Sequence, residues 1–100
     1  MLTRENVLDI LRAEFAFLKN NFTVKRIALF GSFAKNTQKE NSDVDIFVEF
    51  EKPIGLKFIE LVDYLEKILG RKTDVLTPAG VKAIRIKKVA EDIERSIVYV

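Results

Sequence analysis

Two reactive residue types are missing from this 100-residue chain: it has no cysteine and no histidine. Without cysteine there is no disulfide framework, no thiol nucleophile and no thiolate metal site. Without histidine, the Ser-His-Asp triad, imidazole zinc ligands and the commonest general base are excluded as well. Any chemistry must therefore use carboxylates, lysines, hydroxyls, backbone amides and a hard metal, a set that favours phosphate chemistry. No apolar run approaches the ~18 residues needed to span a bilayer, and the start carries no secretory signal. The expectation is a soluble, cytoplasmic protein with no membrane role. A formal net charge of +2 is too small to argue for nucleic acid from charge alone. An apolar content of 48% suits one core and one small domain, residues 1–100.

What is present gathers in one stretch. Ala28-Leu29-Phe30 runs into Gly31-Ser32-Phe33-Ala34-Lys35-Asn36, and a polar loop leads to Asp43-Val44-Asp45-Ile46-Phe47-Val48. This reads as a buried strand, a Gly-Ser turn, a short helical connection and a second strand opening on two carboxylates. Residues two apart on a strand share a face, so Asp43 and Asp45 stand side by side while Val44, Ile46, Val48 and Phe50 form the apolar face. Neighbouring carboxylates repel unless a proton, a cation or strong hydrogen bonding intervenes. A hard divalent cation such as Mg2+ is a natural occupant. Gly31 permits close backbone approach, and a helix starting there would point free amides at a phosphate. The plainer alternative is a strand-to-helix turn with Ser32 as its N-cap. For Asp43 and Asp45 the plainer alternative is a solubilising strand end, a role that suits Glu49 and Glu51 better.

The rest of the chain frames this stretch. Thr3 caps a helix with Val7, Leu8, Leu11, Phe15 and Leu18 at helical spacing, ending near Lys19-Asn20-Asn21. After Pro53 and Gly55, Leu56 to Leu69 forms a second amphipathic helix closed by Gly70. Arg71 to Thr77 reads as a short third strand. If it pairs beside the second strand, Asp74 reaches the same metal as Asp43 and Asp45; otherwise it is a turn-side aspartate. Ala79 onward has helical spacing, with a basic cluster at Lys82, Arg85, Lys87 and Lys88 that is either solvated or a nucleotide, RNA or partner surface. Residues 96–100 finish as an edge strand or a last helical turn. The sum is an α+β, two-layer fold: a small mixed sheet of three to four strands with helices packed on one face.

Gly31-Ser32, Ser42-Asp43-Val44-Asp45-Ile46 and a lone Asp74 together resemble the signature of the DNA polymerase beta-like nucleotidyltransferases. The wording LFGSFA…SDVDIFVEF and the size look most like the minimal nucleotidyltransferases (MNT), including the antitoxins of HEPN/MNT pairs, and the motif-bearing part spans residues 24–76. The resemblance implies the nucleotidyltransferase fold. It also implies that Gly31 and Ser32 hold a triphosphate, with Lys35 beside them, and that Asp43, Asp45 and Asp74 ligate Mg2+ as two ions, Asp74 perhaps also serving as base. ATP would then be the AMP donor, pyrophosphate the leaving group, and a tyrosine of a HEPN-domain ribonuclease toxin the acceptor. Family members often carry Arg-Gly where this chain has Lys35-Asn36. Lysine lacks arginine's bidentate phosphate contact, so the departure bears on triphosphate affinity rather than on the fold. That substitution motivates the rival expectation, an antitoxin that neutralises its partner by binding alone. Direct RNA binding is disfavoured, because no aromatic stacking platform accompanies the basic cluster.

Overall fold

The computed structural model describes residues 2–78 and 97–100. Seven elements follow in order: α1 (Arg4–Phe22), β1 (Val24–Phe30), α2 (Gly31–Ala34), β2 (Val44–Phe50), α3 (Lys57–Leu69), β3 (Thr73–Leu76) and β4 (Val98–Tyr99). The strands form one mixed sheet in the order β3-β2-β1-β4, with β1 antiparallel to β2 and β4, and β2 parallel to β3. The α+β expectation and the strand count hold. Of the two endings open to residues 96–100, the edge strand is the one formed. The helix expected from Ala79 and the basic cluster Lys82–Lys88 lie outside the described residues.

α1 starts where its first-turn amides find an acceptor. Thr3 Oγ1 accepts from the Asn6 amide at 3.1 Å and Asn6 Oδ1 accepts from the Thr3 amide at 3.2 Å, a capping box built on asparagine. Its end differs from expectation. The helix continues through both asparagines to Phe22, which is buried, and the left-handed exit falls on Thr23 at φ 53°. A β-branched residue resists that conformation. Tertiary bonds hold it: Glu51 N donates to the Thr23 carbonyl at 2.8 Å, and Thr23 Oγ1 donates to the Lys52 carbonyl at 3.3 Å. Core burial of Phe22 outweighs the local preference of asparagine.

α1 and α3 cover one face of the sheet. Val7, Leu11 and Leu18 of α1 and Leu61 and Leu65 of α3 pack with Ile27, Leu29, Val44, Ile46 and Val48, all at 0–1% exposure. Full burial of each such side chain contributes about 1.5–3 kcal/mol, so this layer supplies most of the driving force. The β1–β2 register shifts between Val24 and Arg26, and that irregularity puts both Val24 and Ile27 on the helix side. α3 ends at Gly70, whose φ of 68° turns the chain into β3. The opposite face is not bare. Phe47, on the same face of β2 as Asp45, is buried with Ala28 and Phe30, and Leu76 and Ile97 pack on the three. Among the described residues, no helix is long and apolar enough to cross a membrane.

Candidate active site

The site lies where β1 ends and β2 and β3 begin. β1 closes at Phe30, which pairs with Asp45, and Asp45 pairs across the parallel ladder with Asp74. Strand neighbours in register share a face, so Asp45 and Asp74 stand side by side next to the turn that begins at Gly31. The pairing left conditional by the sequence is therefore formed. Asp43 sits one residue before β2, which begins at Val44 rather than at Asp43. It is half-buried, as is Asp45, while Asp74 is exposed.

Gly31 is required twice over. Its φ is 72°, in the left-handed region, and a Cβ built there would collide with Asp45 Oδ2 and lie 3.0 Å from the Asp45 Cγ. The Asp45 carboxylate thus rests directly on the glycine backbone. Ser32 does not cap α2: the N-cap is Phe30, with no side-chain bond to the helix. The Ser32 carbonyl instead accepts from Thr37 N at 2.9 Å, tying the end of the turn back to its start. α2 is a single turn, so its macrodipole is slight and individual amides are what it offers a ligand. Lys35 is exposed at the end of α2, its amide donating to the Gly31 carbonyl at 3.1 Å. Asn36 takes φ 59°, the left-handed conformation that a glycine would adopt there.

Electrostatically the cluster is unbalanced. Burial first, then the charges of Asp74 and Asp43, push the Asp45 carboxyl up to about 6. The donor set, carboxylate oxygens with no sulfur or imidazole, suits a hard divalent ion, whose charge would relieve that repulsion. The positions are not drawn into a closed shell: among the described residues no group of three or more acidic side chains is close enough to hold a metal. The chemistry of the three carboxylates fits Mg2+; their convergence on it is a further step.

One residue in this region carries no motif signal. Arg71, read from sequence as the plain start of a strand, donates from Nη1 to the carbonyls of Glu40 and of Ser42, the latter at 3.3 Å. An arginine after a helix-ending glycine looks like any surface cation. Only the return of residues 40–42 beside β3 gives it partners.

A family model for the nucleotidyltransferase domain matches residues 8–100. A candidate protein adenylyltransferase of Methanocaldococcus jannaschii is 48% identical over 101 residues, covering 100% of both chains. The protein adenylyltransferase MntA of Thermococcus cleftensis is 43% identical over 101 residues, covering 100% of this chain and 98% of that one. Among solved structures, a minimal nucleotidyltransferase superposes with a TM-score of 0.75 at 23% identity, over 97% of this chain and 95% of the other. A chain from the complex of the tri-AMPylated HEPN toxin of Shewanella oneidensis with its MNT antitoxin gives 0.54 at 18% identity, over 96% of this chain and 66% of the other. At those identities the two structures speak to the fold alone.

Proposed function

We infer the function from one premise: this chain belongs to the nucleotidyltransferase family and is an enzyme of that class. Its proposed reaction moves AMP from ATP to a hydroxyl of a protein, and its proposed acceptor is a HEPN-domain toxin that the modification silences. The names of the relatives, and the AMPylated toxin bound to an MNT antitoxin in a structural neighbour, support that reading. The observation that carries it is the placement of Asp45 between Gly31 and Asp74 at one end of the sheet.

In this reading, the backbone of Gly31 and Ser32 binds the triphosphate beside the Asp45 carboxylate, which packs against Gly31. Lys35 adds a point charge to that end of the turn. Asp43, Asp45 and Asp74 would hold Mg2+, and the ion, singly or as a pair, would offset phosphate charge and clamp the attacking and leaving oxygens. The acceptor oxygen bonds to the α-phosphorus, the bond from that phosphorus to the bridging oxygen breaks, and pyrophosphate departs with the electron pair. Asp74, the exposed carboxylate of the row, takes the hydroxyl proton. Positioning and charge compensation suffice for such a displacement, which suits a chain without histidine. A cytoplasmic setting matches a toxin that acts on RNA.

The rival, neutralisation by binding alone, was motivated by Lys35-Asn36. Asn36 adopts a left-handed conformation open to glycine, so what the substitution changes is the bidentate contact of arginine. Incubation with α-labelled ATP, Mg2+ and the HEPN partner tests both readings, with Asp45→Asn as control. Label on the partner with wild type only is the expected result. A stable complex without label would transfer the bet to binding alone.

A further inference from the structure

We propose that Arg71 is the positioning residue of this site, fastening the loop that delivers Asp43 to the strand that carries Asp74. The inference rests on the nucleotidyl-transfer reading and adds the device that holds its carboxylates in place. Arg71 follows Gly70, whose left-handed turn ends α3 and sends the chain toward β3. Its Nη1 donates to two carbonyls two residues apart, those of Glu40 and Ser42. Its Cζ lies 5.9 Å from the ring centroid of Phe33, which is fully buried in α2. From two residues before β3, one guanidinium thus meets both Phe33 of α2 and the loop before Asp43.

The loop needs such an anchor. Residues 39–42 close on themselves, with Lys39 N donating to Ser42 Oγ at 2.8 Å and Ser42 N to the Lys39 carbonyl at 3.0 Å. The guanidinium joins this closed turn to the body, and next to it Val44 N donates to the Lys72 carbonyl at 3.0 Å. Asp43 lies between those two attachments. Arginine suits the task because a planar, many-donor group can serve two carbonyls and an aromatic face together, whereas lysine offers one compact charge. The donors go to carbonyls and not to carboxylates, so Arg71 orders the acidic row without neutralising it.

The test uses the full chain with Arg71→Ala and Arg71→Lys. In metal-free protein, the Ser42 and Val44 amides of Arg71→Ala should exchange faster with deuterium while amides of α1 keep wild-type protection. With ATP and the acceptor protein, the Mg2+ concentration for half-maximal transfer should rise, and kcat/KM should fall about 10–100-fold. Arg71→Lys should recover part of both losses. Wild-type Mg2+ dependence and wild-type exchange in Arg71→Ala would overturn the proposal, as would exchange accelerated equally throughout α1 and α3. If Arg71→Ala does not fold, Arg71→Lys decides by the same two readouts. Should wild-type protein transfer nothing, the nucleotidyl-transfer reading fails, and exchange at Ser42 alone decides the anchoring role.

Discussion

Asp45 and Glu49 leave the same face of β2 four residues apart, and their surroundings are opposite. Glu49 accepts from Arg26 Nε at 2.7 Å, and that bond holds its carboxyl below the usual range. Asp45 faces Asp74 and Asp43, and burial with their charges pushes it up. One carboxylate is paired with a cation of the protein; the other is half-buried beside two further carboxylates. The fold offsets the charge of one acid on this strand with Arg26, at Glu49, and sets the other, Asp45, beside Asp74. The same face thus separates an ion-paired acid from one crowded by other carboxylates.

Gly31→Ala should break that contrast most severely. The added methyl meets the Asp45 carboxylate at a positive φ, which costs about 2 kcal/mol or more and lowers the melting midpoint by roughly 8–16 °C. Nucleotide binding should be lost with it, read by calorimetry with a non-hydrolysable ATP analogue. Unchanged melting would mean that Asp45 swings away freely.

Asp45→Asn should act in the other direction on stability. Because the folded-state value near 6 lies above the ordinary 3.8, the folded protein holds this proton more tightly than the unfolded chain does. The stabilisation is fully present below about pH 4 and is lost as pH rises through about 6. Metal-free wild type and variant should therefore melt alike at pH 4. At pH 7 the variant should be more stable by about 1 kcal/mol once solvent screening of a half-buried group is included, roughly 4–8 °C. A variant with no gain at pH 7 would show that the row is not under repulsion.

Glu49→Gln gives the smallest effect. The pair with Arg26 is solvent-exposed, and such pairs contribute little. Transfer should be unchanged and the melting midpoint should stay within measurement error. A large loss of transfer would erase the distinction between the two acids.

Much of this was legible because it is local. Helical spacing and Thr3 fixed α1, Gly70 fixed the end of α3, and alternation along β2 sorted Val44, Ile46 and Val48 from Asp45. The failures have physical causes. Thr23 exits α1 left-handed because bonds to residues 51 and 52 hold it there, and no local propensity could show that. Phe47 shares a face with two acids yet is buried, since Ala28, Phe30, Leu76 and Ile97 come from elsewhere in the chain. Ser32 resembled a cap, but the N-cap of α2 falls two residues earlier, at Phe30.

By itself the sequence determined which groups are available: carboxylates, a glycine turn and neither thiol nor imidazole. It also placed Asp43 and Asp45 two residues apart, at the point where the loop enters β2. Tertiary structure alone decided that Asp74 joins them. Its place beside Asp45 depends on the parallel register of β2 and β3, which α3 sets by crossing between them, and a slip of one residue would turn Asp74 to the helix face. Arg71 likewise gains its two carbonyls only when β3 returns beside the loop. Local geometry is written in neighbouring residues, whereas the meeting of distant groups is set by the packing of the whole domain.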